Sequence, residues 1–252
     1  EVVRGNCQPA QEKLPVWCFI KYHWLKLFRM MIVGFVAFTM LDAITPGAHH
    51  YAVIDIIGQM GLFNNLLPHP DDIIWPGPYW FFGLMIQFYI VYRLCLYRRH
   101  WLWNVLLIVI CAAIQMACDP DGEALNRWRY NFIGGMLPFG FGVLYARYMR
   151  PLNTATHLVL FILSLFAIVL MSFDYITWYF VPLAVCIASV SFVKLTSRLQ
   201  IVQKEYKTGF MAMFTWVGSI SAALFVCHPI TRKIFIPLSR EGDYWTGLLL
   251  YI

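Results

Sequence analysis

The run Trp101-Leu102-Trp103-Asn104-Val105-Leu106-Leu107-Ile108-Val109-Ile110-Cys111-Ala112-Ala113-Ile114-Gln115-Met116-Ala117-Cys118 covers eighteen positions without a charged side chain. Its apolar residues form a block and do not alternate, which favours a helix over a half-buried strand. A block of this length suits a helix in lipid, since about 20 residues cover a hydrocarbon core of about 30 Å. Arg98 and Arg99 precede it, and the acidic turn Asp119-Pro120-Asp121-Gly122-Glu123 follows it. A basic end and an acidic end are what orientation across a bilayer requires, with the basic end in the cytoplasm.

Similar blocks lie on both sides. Upstream are Leu27 to Ile44, stopped by Thr45-Pro46-Gly47, and Gly77 to Tyr97. Downstream are Tyr130 to Tyr148, Ala155 to Phe173, Tyr175 to Val193, and one between Phe210 and Ile236 with Pro229 near its outer end. Another begins near Tyr244 and is cut short by Ile252. Tyr51 to Leu67 is amphipathic and only moderately apolar, which suits an interfacial or re-entrant helix. The expected fold is all-α: a polytopic transmembrane helical bundle of about seven full spans plus one truncated. No repeat or linker divides residues 1–252, so a single domain is expected.

Composition agrees with a membrane class. Hydrophobic residues make up 60% and charged residues 13% of the chain, with a mean hydropathy of +0.64. An ordinary soluble domain carries about 25% charged residues. The net charge of +6 does not point to nucleic acid, because the basic residues flank apolar blocks and form no separate basic region. With Glu1–Lys21 in the cytoplasm, 14 of the 19 Lys and Arg residues fall on the inner side, as the positive-inside rule requires. The seven Cys show no C-x-x-C spacing, and Cys95, Cys111, Cys118, Cys186 and Cys227, in or at the ends of apolar blocks, read as small core residues. His49-His50, His69-Pro70-Asp71-Asp72 and the acidic turn lack the spacing of metal ligands and read as solvated outer loops. No metal is expected.

The stretch richest in chemical information is Pro78-Tyr79-Trp80-Phe81-Phe82-Gly83-Leu84-Met85-Ile86-Gln87-Phe88-Tyr89. Trp80 and Phe81 suit an aromatic interface belt. Gln87 and Tyr89 place polar groups within an apolar span, where an amide must find a partner in another helix or a wet cavity. Both are candidate site residues, with helix–helix adhesion as the alternative for Gln87.

This stretch resembles the W-F-x-x-x-x-x-Q-F-Y segment of the acyltransferase 3 family, membrane O-acyltransferases of bacterial surface glycans. Three further regions follow in that family's order. Phe19-Ile20-Lys21-Tyr22-His23-Trp24-Leu25-Lys26-Leu27-Phe28, with Val33-Gly34 after it, resembles the basic start of the family's third helix. Phe132-Ile133-Gly134-Gly135-Met136-Leu137-Pro138-Phe139 resembles its y-F-x-x-G-x-x helix. Trp216-Val217-Gly218-Ser219-Ile220-Ser221-Ala222-Ala223-Leu224-Phe225-Val226-Cys227-His228-Pro229 resembles its penultimate helix. There are departures: the family's R-x-x-R corresponds to His23 and Lys26, or in a shifted alternative to Lys26 and Arg29. Met85 stands where many relatives have Glu, and Ala222 where they have Tyr.

The resemblance implies a ten-helix fold of which this chain is a fragment lacking the first two helices. The catalytic His is then expected in the missing part, and the fragment is expected to be inactive alone. It also implies an acyl-CoA donor, acetyl-CoA above all, bound from the cytoplasm by His23, Lys26 and Arg29 with the basic ends at Arg93, Arg98 and Arg99. The acceptor would be a hydroxyl of a surface glycan or lipid-linked saccharide, and the location the bacterial inner membrane. His228, before Pro229, is a further candidate as acceptor ligand or proton relay, or as a partner of backbone freed by the proline. Two rivals are a transporter or flippase and an inactive membrane scaffold. The near absence of charges inside the blocks weakens ion-coupled transport, Asp42 being placed at an outer edge.

Overall fold

Pro15 fixes the chain just ahead of a 29-residue helix, α1, Val16–Ile44, and its carbonyl accepts the amide of Phe19 at 2.9 Å. In the computed structural model, residues 14–45, 52–67, 79–117, 128, 130–148, 152–198 and 210–241 are described. His49-His50, His69 to Asp72, the turn at 119–123 and the block after Tyr244 lie outside them. The described elements are helical throughout: α1, then α2 (Val53–Gly61), a 3₁₀ turn Asn64–Leu66 and α3 (Trp80–Val91), which passes into a π segment Tyr92–Leu96. They continue with α4 (Trp101–Ala117), α5 (Phe132–Tyr148), α6 (Thr154–Met171), α7 (Tyr175–Trp178), α8 (Val181–Arg198) and α9 (Phe210–Glu241).

Local chemistry explains the breaks. The Asn153 side chain accepts the Thr156 amide at 2.7 Å and caps α6, as a short acceptor at a helix start does. Asp174 caps α7 in the same way through Thr177. Leu62 ends α2 in the left-handed region at φ 60°, an unfavourable conformation for a residue with a Cβ. Leu62 is 1% exposed, so its burial offsets that strain.

The seven-span expectation is corrected by helix length and by where polar groups lie. Among the described residues two helices, α1 and α6, are long and apolar enough to cross a membrane. α3 has 12 residues and α4 and α5 have 17 each, so at 1.5 Å per residue they reach about 18 to 26 Å. α9 is long but carries Arg232 and Lys233 among its hydroxyl-bearing residues. The interiors also hold Asp42, Gln59, Asn64, Asn65, Gln87, Asn104 and Gln115. A hydropathy block measures apolar content and cannot tell a lipid face from a packed face.

The chain packs as two compact units, one of residues 1–90 with 218–252 and the other of residues 91–217. The first has a core of Met31, Phe35, Leu62, Tyr79, Phe82, Ile86 and Val226. Gly34 on α1 makes its closest approach possible, because a Cβ there would strike the Tyr79 hydroxyl and Val226 Cγ1. The second unit is centred on Leu96, Cys111 and Met136. In it α4 packs on α5 and α6 on α8. Buried Ala184, Ala188 and Ser191 give α8 a face of small residues, which lets helix backbones approach.

Candidate functional site

Within the first unit, His23 of α1 and Tyr89 of α3 stack with ring centroids 3.9 Å apart and 18° between planes. Phe19, one turn before His23, closes another side at 4.4 Å, and Tyr22 meets the imidazole edge-on at 5.2 Å. His23 is 9% exposed, and its Nδ1 is buried without a hydrogen-bond partner. Buried polar atoms are paired in the great majority of cases, so this ring nitrogen calls for a partner. Lys26 and Arg29, three and six residues on, are both exposed. The arrangement is an aromatic-walled imidazole beside two cationic side chains on one helix.

Gln87 lies two residues before Tyr89 on α3. Its Nε2 donates to Asn65 Oδ1 at 2.9 Å, in a buried contact. Asn64 Nδ2 donates to Gln59 Oε1, and Trp24 Nε1 donates to the Gly61 carbonyl at 3.3 Å. Gly83 leaves room for this layer, since a Cβ there would strike the Asn65 amide. The segment from Gln59 to Asn65 is thereby tied to α1 through Trp24 and to α3 through Gln87.

Of the residues expected from sequence, His23 and Tyr89 come together directly. Gln87 joins them through the shared helix and serves the amide layer, whereas Lys26 and Arg29 face outward. His228 does not join this group: its side chain is exposed on α9. The backbone beside Pro229 is met by Tyr79, whose hydroxyl donates to the Val226 carbonyl at 2.8 Å. Arg93, Arg98 and Arg99 belong to the second unit.

Sequence reasoning missed Gln59, Asn64 and Asn65 as site-supporting groups. The signal was present, because two adjacent amides in an otherwise apolar segment are expensive to bury unless each finds a partner. Asp42, in the last turn of α1, is 1% exposed and pairs with Lys233 of α9 at 2.6 Å. Among the described residues, no group of three or more His, Cys, Asp and Glu is placed to hold a metal ion.

A family model described as an acyltransferase domain, that of the acyltransferase 3 family, matches residues 7–252. The match offers no support for the expected loss of two preceding helices. No curated protein and no solved structure matches the chain.

Proposed function

The chain belongs to the acyltransferase 3 family and is an acyltransferase, and from that membership we propose that it moves an acyl group from acyl-CoA to a hydroxyl of a surface glycan or lipid-linked saccharide at a bacterial membrane. The observation that carries the site assignment is the His23 imidazole, stacked on Tyr89 with Nδ1 left unpaired. Lys26 and Arg29 supply exposed positive charge suited to the phosphates of a CoA donor. His23 Nδ1 takes the acceptor's hydroxyl proton as its oxygen attacks the thioester carbonyl. The carbon–sulfur bond then breaks and the departing thiolate receives a proton. General-base assistance of this kind contributes typically about 10² to 10⁴ in rate.

Tyr89 and Phe19 hold the imidazole plane. The Gln87–Asn65 contact fixes α3 against the Gln59–Asn65 segment, and so fixes Tyr89. The membrane location is supported by the family and by the apolar surface of α6, where Leu158, Ile162, Phe166 and Val169 are each about half exposed or more. Such a face is costly in water and favourable against lipid.

The test is transfer of labelled acetyl from acetyl-CoA to surface glycan by membranes carrying the protein. Lys26→Ala should raise KM for acetyl-CoA, and His23→Gln should lower kcat by about 10² or more. Full transfer by His23→Gln would remove His23 from the reaction. An unchanged KM in Lys26→Ala would remove Lys26 from the donor site.

A further inference from the structure

The second unit carries a basic surface of its own, at the junction of α3 and α4. α3 ends in the π segment Tyr92–Leu96, and π segments often sit at functional sites. The chain then turns through Arg98 at φ 56° and enters α4. Tyr97 carries two cations, with the Arg93 guanidinium 4.2 Å and the Arg98 guanidinium 5.1 Å from its ring centre. Arg98, Arg99 and His100 are consecutive and exposed. Among the described residues neither Arg98 nor Arg99 forms an ion pair.

His100 Nδ1 accepts the Leu102 amide at 3.3 Å. Its other ring nitrogen therefore carries the proton and remains a donor. The first turn of α4 adds the positive end of the helix dipole, with the Leu102 and Trp103 amides already held by His100. Guanidinium, imidazole N–H and helix N-terminus together form a donor set for an anion.

Below these donors, α4 presents Leu102, Trp103, Leu106, Val109 and Ile110, all between 45% and 57% exposed. Two apolar grooves run along this face. One, of about 580 Å³, starts at His100 and ends at Val109; the other, of about 300 Å³, includes Arg99 and ends at Ile110. Trp103 and Leu106 line both and form the ridge between them. From the basic head to Val109 or Ile110 is about ten or eleven residues, or about 15 to 17 Å along the helix. That is half of a hydrocarbon core of about 30 Å, the depth of one leaflet.

We propose that the start of α4 is a seat for an anionic diacyl phospholipid, its phosphate at Arg98, Arg99 and His100 and its two chains in the grooves on either side of Trp103. The proposal rests on the membrane location given above. Charge selects the headgroup, the paired grooves select two chains, and groove length selects a lipid of one leaflet. Basic residues near a bilayer surface attract anionic lipid at about fivefold in affinity for each charge.

Native mass spectrometry of the full chain, released from detergent with phosphatidylglycerol, phosphatidylcholine or the single-chain lysophosphatidylglycerol added, tests the seat. Wild type should retain phosphatidylglycerol in preference to both others. Arg98→Gln/Arg99→Gln, at exposed positions, should lose that preference, whereas Lys21→Gln/Lys26→Gln should keep it. Equal retention of phosphatidylglycerol and phosphatidylcholine overturns the headgroup site, as does a preference that survives Arg98→Gln/Arg99→Gln. Equal retention of the single-chain lipid overturns the two grooves. Either failure in protein recovered from the membrane fraction removes this seat alone, whereas recovery in the aqueous fraction removes the membrane reading with it.

Discussion

The imidazole of His23 lies nearly parallel to the phenol ring of Tyr89, with centroids 3.9 Å apart. Residues on α1 and α3 are thus held in register by a flat contact that tolerates no sideways chain in its place. Aromatic pairs contribute about 0.5 to 1.5 kcal/mol beyond their buried area. Tyr89→Phe should therefore keep acyl transfer within about twofold, while Tyr89→Leu should lower kcat by about tenfold, on the scale set by that contact. Parallel assays of the two variants with labelled acetyl-CoA decide the point. Loss of activity in Tyr89→Phe would assign a role to the hydroxyl instead.

Gly34 should resist even the smallest substitution. A methyl there strikes the Tyr79 hydroxyl and Val226 Cγ1, and overpacking of a closed core costs about 1 to 3 kcal/mol. Gly34→Ala should lower the unfolding temperature of detergent-purified protein. The loss should shrink when Tyr79→Phe and Val226→Ala are made alongside. Independent, additive effects of these changes would contradict the contact.

Asp42 and Lys233 should respond unequally to single changes. Removing one partner of a buried pair costs about 3 to 5 kcal/mol. The carboxylate is 1% exposed and the ammonium 17%, so Lys233→Met strands the more deeply buried charge. Asp42→Asn should be milder, since a lysine stem can carry its ammonium toward water. The double variant Asp42→Asn/Lys233→Met should recover much of the lost stability in thermal unfolding. No recovery would mean the two charges are not coupled.

Gln87→Leu should loosen the amide layer. The change removes the donor at 2.9 Å from Asn65, and losing one member of a buried hydrogen bond costs about 1 to 3 kcal/mol. Hydrogen exchange should rise at residues 59–66, and kcat should fall less than in His23→Gln. A fall equal to that of His23→Gln would place Gln87 in the chemistry.

Much of the helical pattern was legible in the sequence. Trp101 to Cys118 appears as Trp101–Ala117, and Ala155 to Phe173 as Thr154–Met171. Tyr175 to Val193 breaks into Tyr175–Trp178 and Val181–Arg198, a division made by the short turn at Tyr179-Phe180 that hydropathy smooths over. α1 begins at Val16, well before the expected Leu27, because polar residues such as Lys21 and Lys26 extend a helix readily without adding hydropathy. The number of spans was not legible. Apolar residues covering neighbouring helices and apolar residues facing lipid have the same composition, and only packing distinguishes them.

The site was legible in part for a related reason. Gln87 and Tyr89 stood out because each interrupts an apolar run, and His23 because it falls in the basic segment that resembles the family's third helix. That His23 meets Tyr89, 66 positions further along the chain, is a tertiary fact that no local period encodes. Asn64 and Asn65 were visible as residues, but their partners were not.

The contacts of Tyr79 with Val226 and of Asp42 with Lys233 span 147 and 191 positions. Both close a unit whose two pieces are separated in the chain by residues 91–217. Synthesis therefore delivers the middle piece in full before the first unit has its last helix. During translation α1 and α3 wait with Asp42 and the floor of Gly34 uncovered, while residues 91–217 already hold everything they need for their own core. The aromatic cage of His23 is built from Phe19, Tyr22 and Tyr89, all made long before α9, which brings the partners of Tyr79 and Asp42.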